Sequence, residues 1–111
     1  MSDCLFCKIL NGEIPSTKVF ENESVYGFQD IQPLAKEHYL FIHRNHSKNV
    51  NEMDRDDMAQ VFDAIKEFTQ SNELENNGFR VVSNINDHGC QSVYHTHFHV
   101  LGGEQLKGFG A

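Results

Sequence analysis

Three histidines stand at alternating positions in the run His95-Thr96-His97-Phe98-His99. Side chains alternate between the two faces of a β-strand, so this spacing predicts a strand over residues 92–101 with all three imidazoles on one face. Burying three imidazoles on one face is costly unless each of them finds a hydrogen-bond partner or a ligand. The row therefore indicates a functional site rather than an ordinary core or surface face.

The rest of the chain predicts several short strands around one long helix. Residues 53–70 carry apolar side chains on one helical face, with Asp54 as the N-cap and Asn76-Asn77-Gly78 as the stop. Strands are predicted at 18–20 and 24–30 (a hairpin around the polar tip 21–23), at 38–42 and at 79–83, with a short helix or turn at 4–10. These elements predict one α+β domain over residues 1–111, with a mostly antiparallel sheet and a tail at 104–111.

Composition and charge exclude several classes of function. A chain of 111 residues with a net charge of −7 has no basic stripe for nucleic acid or for an anionic membrane. Its longest apolar stretches, such as residues 39–42, fall far short of the roughly 20 residues that cross a bilayer. Met1-Ser2-Asp3 lacks the features of a secretory signal, and three cysteines, an odd number, fit a reducing compartment. We therefore expect a cytoplasmic protein with neither a nucleic-acid nor a membrane partner.

Two chemistries can use the histidine row. Neighbouring imidazoles of an H-x-H pattern can chelate a transition metal. A neutral imidazole can instead attack an electrophile directly. The loop before the row favours attack on phosphorus, because the backbone amides of Gly89 and Gln91 and the hydroxyl of Ser92 could hold a phosphate.

A longer stretch around the row resembles a known family. The run over residues 91–103, QSVYHTHFHVLGG, is similar to the signature of the histidine-triad (HIT) family in its bacterial Hint-like branch. The segments CKILNGEIP at 7–15 and FQDI at 28–31 fit the same family. The resemblance implies a HIT-like α+β fold with one long helix and a short N-terminal helix. It also implies a nucleotide hydrolase or transferase, in most cases a homodimer formed through the long helix and a strand.

The resemblance also implies roles for individual residues. His97 would attack the α-phosphorus and carry a nucleotidyl-histidine intermediate, with His95 and His99 as the other members of the catalytic row. Ser92 would hydrogen-bond the phosphate and help to protonate the leaving amine, and Asp30 would bind the ribose hydroxyls. The other implied nucleotide contacts are Leu5, Phe6, Phe28 and Ile31 around a purine, and Asn84, Gly89, Cys90 and Gln91 near the phosphate. Without the resemblance, Asp30 would be taken for a solvated loop acid and the apolar residues for core.

The pair Cys4 and Cys7 forms a C-x-x-C motif, which alone is compatible with a redox pair, a metal knuckle or coincidence. Many bacterial Hint-like proteins combine this pair with two histidines. The resemblance therefore implies a structural, non-catalytic zinc bound by Cys4, Cys7, His46 and His95, a donor set that suits a closed tetrahedral site. The remaining histidines, His38, His43 and His88, have no partner visible in the sequence, and we expect them at the surface.

Several functions remain open at this point. The first is hydrolysis of purine nucleoside 5′-monophosphoramidates, in which AMP or GMP is linked to an amine. Hydrolysis of dinucleoside polyphosphates is the enzymatic alternative, although the ending Leu101-Gly102-Gly103 favours the Hint branch. A nucleotide-binding, zinc-stabilised dimeric scaffold and a metal-dependent hydrolase are further alternatives.

Overall fold

A computed structural model describes residues 3–109 and has a five-stranded sheet at its centre. The strand order is β1-β2-β3-β5-β4, and every neighbouring pair is antiparallel. The strands are β1 (Lys18–Glu21), β2 (Val25–Gln29), β3 (Glu37–His43), β4 (Arg80–Val82) and β5 (His97–Gly102). The helices are α1 (Leu5–Leu10), α2 (Arg55–Ser71) and α3 (Leu74–Asn77). The predicted α+β fold, with one long helix and a short N-terminal helix, is confirmed.

The two faces of the sheet are covered by different helices. One face packs against the apolar side of α2 and forms the main core, which includes Val25, Phe41, Phe98 and Val100 from the strands and Val61, Ala64, Ile65 and Phe68 from the helix. The opposite face packs against α1 and forms a smaller cluster of Phe6, Ile9, Phe28, Leu40 and Ile42. Residues alternate between these faces along each strand, so the histidines of β5 share the α1 face with Leu40 and Ile42.

Helix α2 lies within two residues of its predicted bounds, 53–70. The Asp54 side chain accepts a hydrogen bond from the amide of Asp56 at 3.1 Å, which confirms the predicted N-cap. The predicted end at residue 70 is confirmed to within one residue, since α2 ends at Ser71, but the stop at 76–78 does not belong to this helix. Glu73 takes the left-handed conformation (φ 67°), and Leu74 then enters the core at the start of the separate helix α3. Gly78 ends α3 instead.

The predicted strand over 92–101 is wrong in its first half, because β5 begins only at His97. At Thr96, just before β5, the chain is hydrogen-bonded to Ser47 and not to a neighbouring strand. The amide and the hydroxyl of Thr96 both donate to the carbonyl of Ser47, at 2.8 and 3.1 Å. The hairpin and the strands at 38–42 and 79–83 are confirmed, with β3 longer and β4 shorter than predicted.

The tail predicted at 104–111 is tied to the body of the protein as far as the structure describes it. The amide of Lys36 donates to the Glu104 carboxylate at 2.7 Å, and the Arg80 guanidinium donates to the Lys107 carbonyl at 2.6 Å. The last two residues of this tail, and the first two of the predicted domain, lie outside the described residues. Among residues 3–109, no helix is both long and apolar enough to cross a membrane.

Gly27, in the second strand of the hairpin, faces the ring of Phe41 in the main core. It pairs with Phe41 across β2 and β3, and a Cβ at Gly27 would lie 2.8 Å from two ring carbons of Phe41. We expect Gly27→Ala to lower the free energy of unfolding by about 1–3 kcal/mol, because the added methyl overpacks the core. Urea denaturation measures this loss.

A double-mutant cycle with Phe41→Leu provides the control, since leucine lacks the two ring carbons. The cost of Gly27→Ala should be smaller by about 1 kcal/mol in the Phe41→Leu background. An equal cost in both backgrounds would mean that the strand backbone, and not the ring, requires glycine.

Candidate active site

The structure brings the three histidines of the row together, although only two lie on a strand. The His97 and His99 rings lie on the same face of β5 with their centroids 5.1 Å apart. His95 precedes the strand, and its ring is nevertheless close, because Phe6 of α1 contacts both His95 and His97 with centroid distances of 6.0 and 5.0 Å. Helix α1 thus covers one side of the row.

The hydrogen bond of His97 fixes which of its nitrogens can react. Nδ1 lies 2.8 Å from the carbonyl oxygen of His95, and a carbonyl can only accept, so Nδ1 carries the proton. In a neutral imidazole the lone pair then lies on Nε2. Burial lowers the pKa of His97 below its ordinary value and so favours this neutral form. The geometry gives His97 the form that a nucleophile requires.

His99 has a buried neighbour that the sequence analysis placed at the surface. His38 is only 4% exposed, because it lies on the α1 face of β3, and its Nε2 is 2.8 Å from Nδ1 of His99. The expectation of a surface position for His38 is therefore wrong. The sequence did not predict this contact, because His38 reaches His99 only through the register of β3 against β5. In that register His99 pairs with Leu40, two residues from His38 and on the same face.

Asp30 follows β2 and lies beside this histidine pair. One carboxylate oxygen accepts a hydrogen bond from the amide of Gln32 at 2.8 Å, and the other is 3.4 Å from Nε2 of His38. The Asp30 side chain is 17% exposed, so it is not the solvated loop acid that the residue alone would suggest. Its remaining lone pairs are in a position to accept hydrogen bonds from a ligand over the histidines.

The loop before the row is organised differently from the prediction. The amides of Gly89 and Gln91 donate to the carbonyl of Asn86, at 3.2 and 3.0 Å, so they are used within the loop. The expectation that these two amides hold a phosphate is not met in this conformation. The Gln91 side chain is also directed inward, where it donates to the carbonyls of Lys48 and Val93.

Two further polar side chains, those of Asn49 and Ser83, make hydrogen bonds to the loop and to the row. Asn49, which the sequence analysis did not single out, is buried and donates to the side-chain oxygens of Asn86 and Gln91, at 2.9 and 3.1 Å. Ser83, also missed, donates from its hydroxyl to the carbonyl of His97 at 2.8 Å. Neither residue belongs to a sequence pattern that signals these contacts, because all three bonds join residues that are 14 or more positions apart in the chain.

The other residues expected near a phosphate are exposed or half-buried. Ser92 is exposed at the end of the loop, and Asn84 is half-buried at its start. Cys90 is exposed and takes a positive φ of 62°, a conformation that favours glycine. Cys90 therefore has a backbone conformation that is usual for glycine, although it carries a side chain.

The four residues expected around a purine divide into two kinds. Phe6 and Phe28 are core residues, each 4% exposed, with ring centroids 5.6 Å apart. Leu5 and Ile31 are exposed, Ile31 by 92%, and so have apolar surface free for contact with a ligand. Phe6 contacts the rings of His95 and His97, and Phe28 packs against Phe6.

Four side chains converge beside the row and form a candidate metal centre, which we call the Cys2His2 cluster: Cys4, Cys7, His46 and His95. Nδ1 of His95 lies 3.3 and 3.5 Å from the sulfurs of Cys4 and Cys7 and 3.2 Å from Nδ1 of His46. Zinc–sulfur bonds of about 2.3 Å and zinc–nitrogen bonds of about 2.0 Å separate tetrahedral ligand atoms by roughly 3.3–3.8 Å. The cluster therefore fits a zinc ion and could bind one.

The orientation of His95 supports the same conclusion. Nε2 of His95 donates to the carbonyl of His43 at 3.0 Å, so its Nδ1 lone pair faces the cluster. Burial, reinforced by Cys4, raises the pKa of the Cys7 thiol to about 11. A bound cation would offset that shift, since zinc binds the thiolate.

The last two histidines have different environments. His43 is buried, because it lies on the α2 face of β3, where its Nε2 is 2.6 Å from the side-chain oxygen of Gln60. The expected surface position is therefore wrong for His43. His88 is exposed in the loop, as predicted.

Comparison with known proteins places this geometry in a family. Residues 11–106 match the HIT domain family. A HIT family hydrolase from Legionella pneumophila is 42% identical in sequence and superimposes with a TM-score of 0.89, over 95% of this chain and 96% of that chain.

Two curated proteins are also similar. The adenosine 5′-monophosphoramidase of Candida albicans is 35% identical over 90% of this chain and 70% of its own length. A 14 kDa zinc-binding protein of Zea mays is 39% identical over 96% of this chain and 86% of its own length. The sequence match, the superposition and the histidine row agree, and the chain belongs to the HIT domain family.

Proposed function

We propose that this protein is a nucleotide hydrolase that cleaves the P–N bond of purine nucleoside 5′-monophosphoramidates through a nucleotidyl intermediate on His97. The observation that carries the proposal is the hydrogen bond from Nδ1 of His97 to the His95 carbonyl, which leaves Nε2 unprotonated. The similarity to a Candida albicans adenosine 5′-monophosphoramidase and to a Legionella pneumophila hydrolase supports this reaction class.

The reaction divides into two displacements at phosphorus. The lone pair on Nε2 of His97 forms a bond to the α-phosphorus, and the P–N bond of the substrate breaks. The leaving amine takes a proton, for which the exposed hydroxyl of Ser92 is the proposed path. Water then attacks the phosphorus and releases a proton, which replaces the one taken by the amine, the bond to Nε2 breaks, and nucleoside monophosphate and free His97 result.

The remaining proposed contacts follow the positions described above. His99 would contact the phosphate from the same strand as His97, and Asp30 would accept the ribose hydroxyls with its free lone pairs. Leu5 and Ile31 would cover the purine with their exposed apolar surface. The loop residues Asn84, Gly89, Cys90 and Gln91 would shape the phosphate end, with Gln91 acting from inside the loop.

The arrangement of lone pairs argues against metal catalysis by the row itself. The free nitrogen of His95 is Nδ1, and it faces the Cys2His2 cluster. The free nitrogen of His97 is Nε2, and its Nδ1 is held by a carbonyl. Adjacent imidazoles that chelate one metal need converging lone pairs, and these two are committed to different places.

The Cys2His2 cluster is proposed to hold a structural zinc. Zinc bound by four protein ligands contributes to folding and leaves no open coordination position for substrate. Within this chain, the cluster joins α1 to the segment before β5, because Cys4 and Cys7 belong to the first and His95 to the second. A bound zinc would therefore hold α1, which covers the histidine row, against the segment before β5.

The homodimer implied by the family resemblance stays a proposal, as does the cytoplasmic location. The long helix and a strand are the elements that the resemblance assigns to the dimer. On α2, Phe62 remains 44% exposed although it contacts Phe98. Burial of this ring against a second copy would remove apolar surface from water.

Activity of His97→Ala tests the proposed reaction. Wild-type protein should hydrolyse adenosine 5′-phosphoramidate in the presence of EDTA, and His97→Ala should lose at least about a thousandfold in kcat. The exposed His88, in the loop before β5, provides a matched control, since His88→Ala should keep its turnover. Diadenosine polyphosphate, assayed in parallel, distinguishes the two hydrolases.

Three outcomes would contradict this proposal. Turnover that survives His97→Ala would exclude the histidine nucleophile. Immediate loss of activity on chelation, with the fold intact, would favour a metal-dependent hydrolase. Nucleotide that is retained but never turned over would favour a binding scaffold.

Zinc content provides a separate test. Elemental analysis should find about one zinc per chain, and Cys7→Ser should lose it and melt at a lower temperature, because the cluster no longer has four ligands. Cys90→Ser is the matched control, since Cys90 lies outside the cluster and should leave the zinc content unchanged. A metal-free protein with full stability and activity would refute the zinc proposal.

Light scattering tests the dimer. The measured mass should be about twice the chain mass of 12.7 kDa, and Phe62→Glu should shift it toward the monomer, because a charge would be buried at the contact. Thermal melting of the variant monitors its fold. A wild-type mass of one chain at all micromolar concentrations would exclude the dimer.

A further inference from the structure

The loop over residues 86–91, which precedes the histidine row, is closed by its own hydrogen bonds. The amide of Gln91 donates to the carbonyl of Asn86 at 3.0 Å, and the amide of Asn86 donates to Oε1 of Gln91 at 2.9 Å. Asn86 takes a positive φ of 59°, which its short polar side chain tolerates. These bonds give the loop its shape, but they do not attach it to the rest of the protein.

Two amide side chains attach this loop to the segment at 48–49. Asn49 donates from Nδ2 to Oδ1 of Asn86 at 2.9 Å and to Oε1 of Gln91 at 3.1 Å. Gln91 donates from Nε2 to the carbonyl of Lys48 at 2.6 Å. Within residues 3–109, the hydrogen bonds from the loop to a distant segment all go to Lys48 and Asn49. That segment therefore sets where the loop lies.

Two backbone donors fix the orientation of both amide side chains. The amide of Asn51 donates to Oδ1 of Asn49 at 3.1 Å, and a backbone N–H can only donate, so the NH2 group of Asn49 faces the loop. The amide of Asn86 fixes Oε1 of Gln91 in the same way. Both N–H groups of Asn49 are then used, and they join the two ends of the loop.

Burial makes these contacts hard to replace. Asn49 is 6% exposed and Gln91 is 8% exposed. A buried oxygen that loses its donor is costly, because water does not reach it to take the donor's place. The bonds of Asn49 therefore favour one position of the loop over all others.

Ser92 follows the loop directly, and its position depends on Gln91. Nε2 of Gln91 also donates to the carbonyl of Val93 at 3.0 Å, so the Gln91 side chain spans the backbone of Ser92. Ser92 is exposed, and β5 begins only at His97, so the sheet does not hold it. The hydroxyl proposed above as the path of a proton to the leaving amine is thus placed by the loop.

We propose that Asn49 is a positioning residue, which holds the loop 86–91 so that the Ser92 hydroxyl lies where the leaving amine takes its proton. The catalytic part of this inference rests on the proposed function, while the rigidity of the loop is a property of the free protein. Asn49 reaches the reaction only through Gln91, since its side chain is buried and bonded there. Proton donation is sensitive to such placement, because a displacement of about 1 Å can cost on the order of a hundredfold in rate.

An isosteric variant removes the contact. Asn49→Asp keeps the oxygen that accepts from the Asn51 amide and replaces the NH2 group by a second oxygen, which faces two oxygens of the loop. Asn49→Ala removes the same donor without adding a charge, and it replaces Asn49→Asp if that variant does not fold. Thr69→Val is the matched control for the loss of a buried hydrogen bond, because the Thr69 hydroxyl is bonded within α2. Thermal melting of all three variants monitors the fold.

The first measurement is the mobility of the loop, read from ¹⁵N relaxation of backbone amides in the free protein. The amides of Gln91 and Ser92 should have order parameters of about 0.85, the value of a rigid backbone, in the wild type and in Thr69→Val. In Asn49→Asp these values should fall below about 0.6. A wild-type loop that is already this mobile would overturn the proposal, even if no variant folds. A loop that stays rigid in folded Asn49→Asp would also overturn it.

The second measurement compares two leaving groups on the same nucleotide. The amine of adenosine 5′-phosphoramidate needs a proton to leave, whereas p-nitrophenolate leaves the p-nitrophenyl ester of AMP without one. Asn49→Asp should lose about 10- to 100-fold in kcat/KM, which reports formation of the nucleotidyl intermediate, on the phosphoramidate and less than about threefold on the ester. A merely structural defect would slow both substrates alike, and that result would overturn the role of Asn49.

A double-mutant cycle tests whether Asn49 acts through Ser92. On the phosphoramidate, the double variant Asn49→Asp/Ser92→Ala should be no slower than Ser92→Ala alone, because the group that Asn49 positions is then absent. Losses that multiply in the double variant would mean that Asn49 acts by another route and would overturn the proposal.

The failure of the proposed function can be told apart from the failure of this inference. A wild-type protein that hydrolyses neither substrate rejects the proposed function, while the relaxation data still decide whether Asn49 holds the loop. Full turnover of the phosphoramidate by Ser92→Ala rejects the proposed proton path and, with it, the catalytic part of this inference. Active wild-type protein with a mobile loop rejects only the role of Asn49.

Discussion

The register of β3 against β5 is the constraint on which both candidate sites depend. It pairs Leu40 with His99 and Ile42 with His97, and it brings His38 onto the same face as the two histidines. A slip of one residue would turn every side chain of β5 to the opposite face and move the histidines into the α2 core. That core prevents the slip, because Phe98 and Val100 are buried against α2 only in the observed register. Ordinary apolar packing on one face therefore aligns the chemistry on the other.

Much of this arrangement is encoded locally, and the sequence predicts those parts. Alternation along β5 predicts that His97 and His99 share a face, and the acid Asp54 predicts the start of α2. His38 and His43 escaped prediction because a residue's burial depends on which strand or helix comes to cover it. The separate helix α3 escaped prediction for a similar reason, since it depends on a left-handed Glu73 and on the burial of Leu74.

The loop before β5 illustrates a second limit of the sequence. A Gly-Cys-Gln-Ser run resembles a phosphate cradle, yet the amides of Gly89 and Gln91 are already used by the Asn86 carbonyl. Glycine at position 89 has a packing reason, because a Cβ there would lie 2.5 Å from the carbonyl oxygen of Ile85. The residue type agrees with a ligand site and with a tight loop alike, and only the hydrogen-bond partners distinguish the two.

His95 links the Cys2His2 cluster to the proposed nucleophile through three separate groups. Its Nδ1 faces the sulfurs, its Nε2–H donates to the His43 carbonyl, and its own carbonyl accepts the proton of His97. A displacement of His95 would therefore move the carbonyl that keeps Nε2 of His97 unprotonated. Because β5 begins only at His97, the carbonyl of His95 lies outside the sheet, between the cluster contacts of the His95 ring and the hydrogen bond from the Thr96 amide to Ser47. A structural zinc would thus act on the chemistry without touching substrate, by holding the backbone that sets the tautomer of the nucleophile.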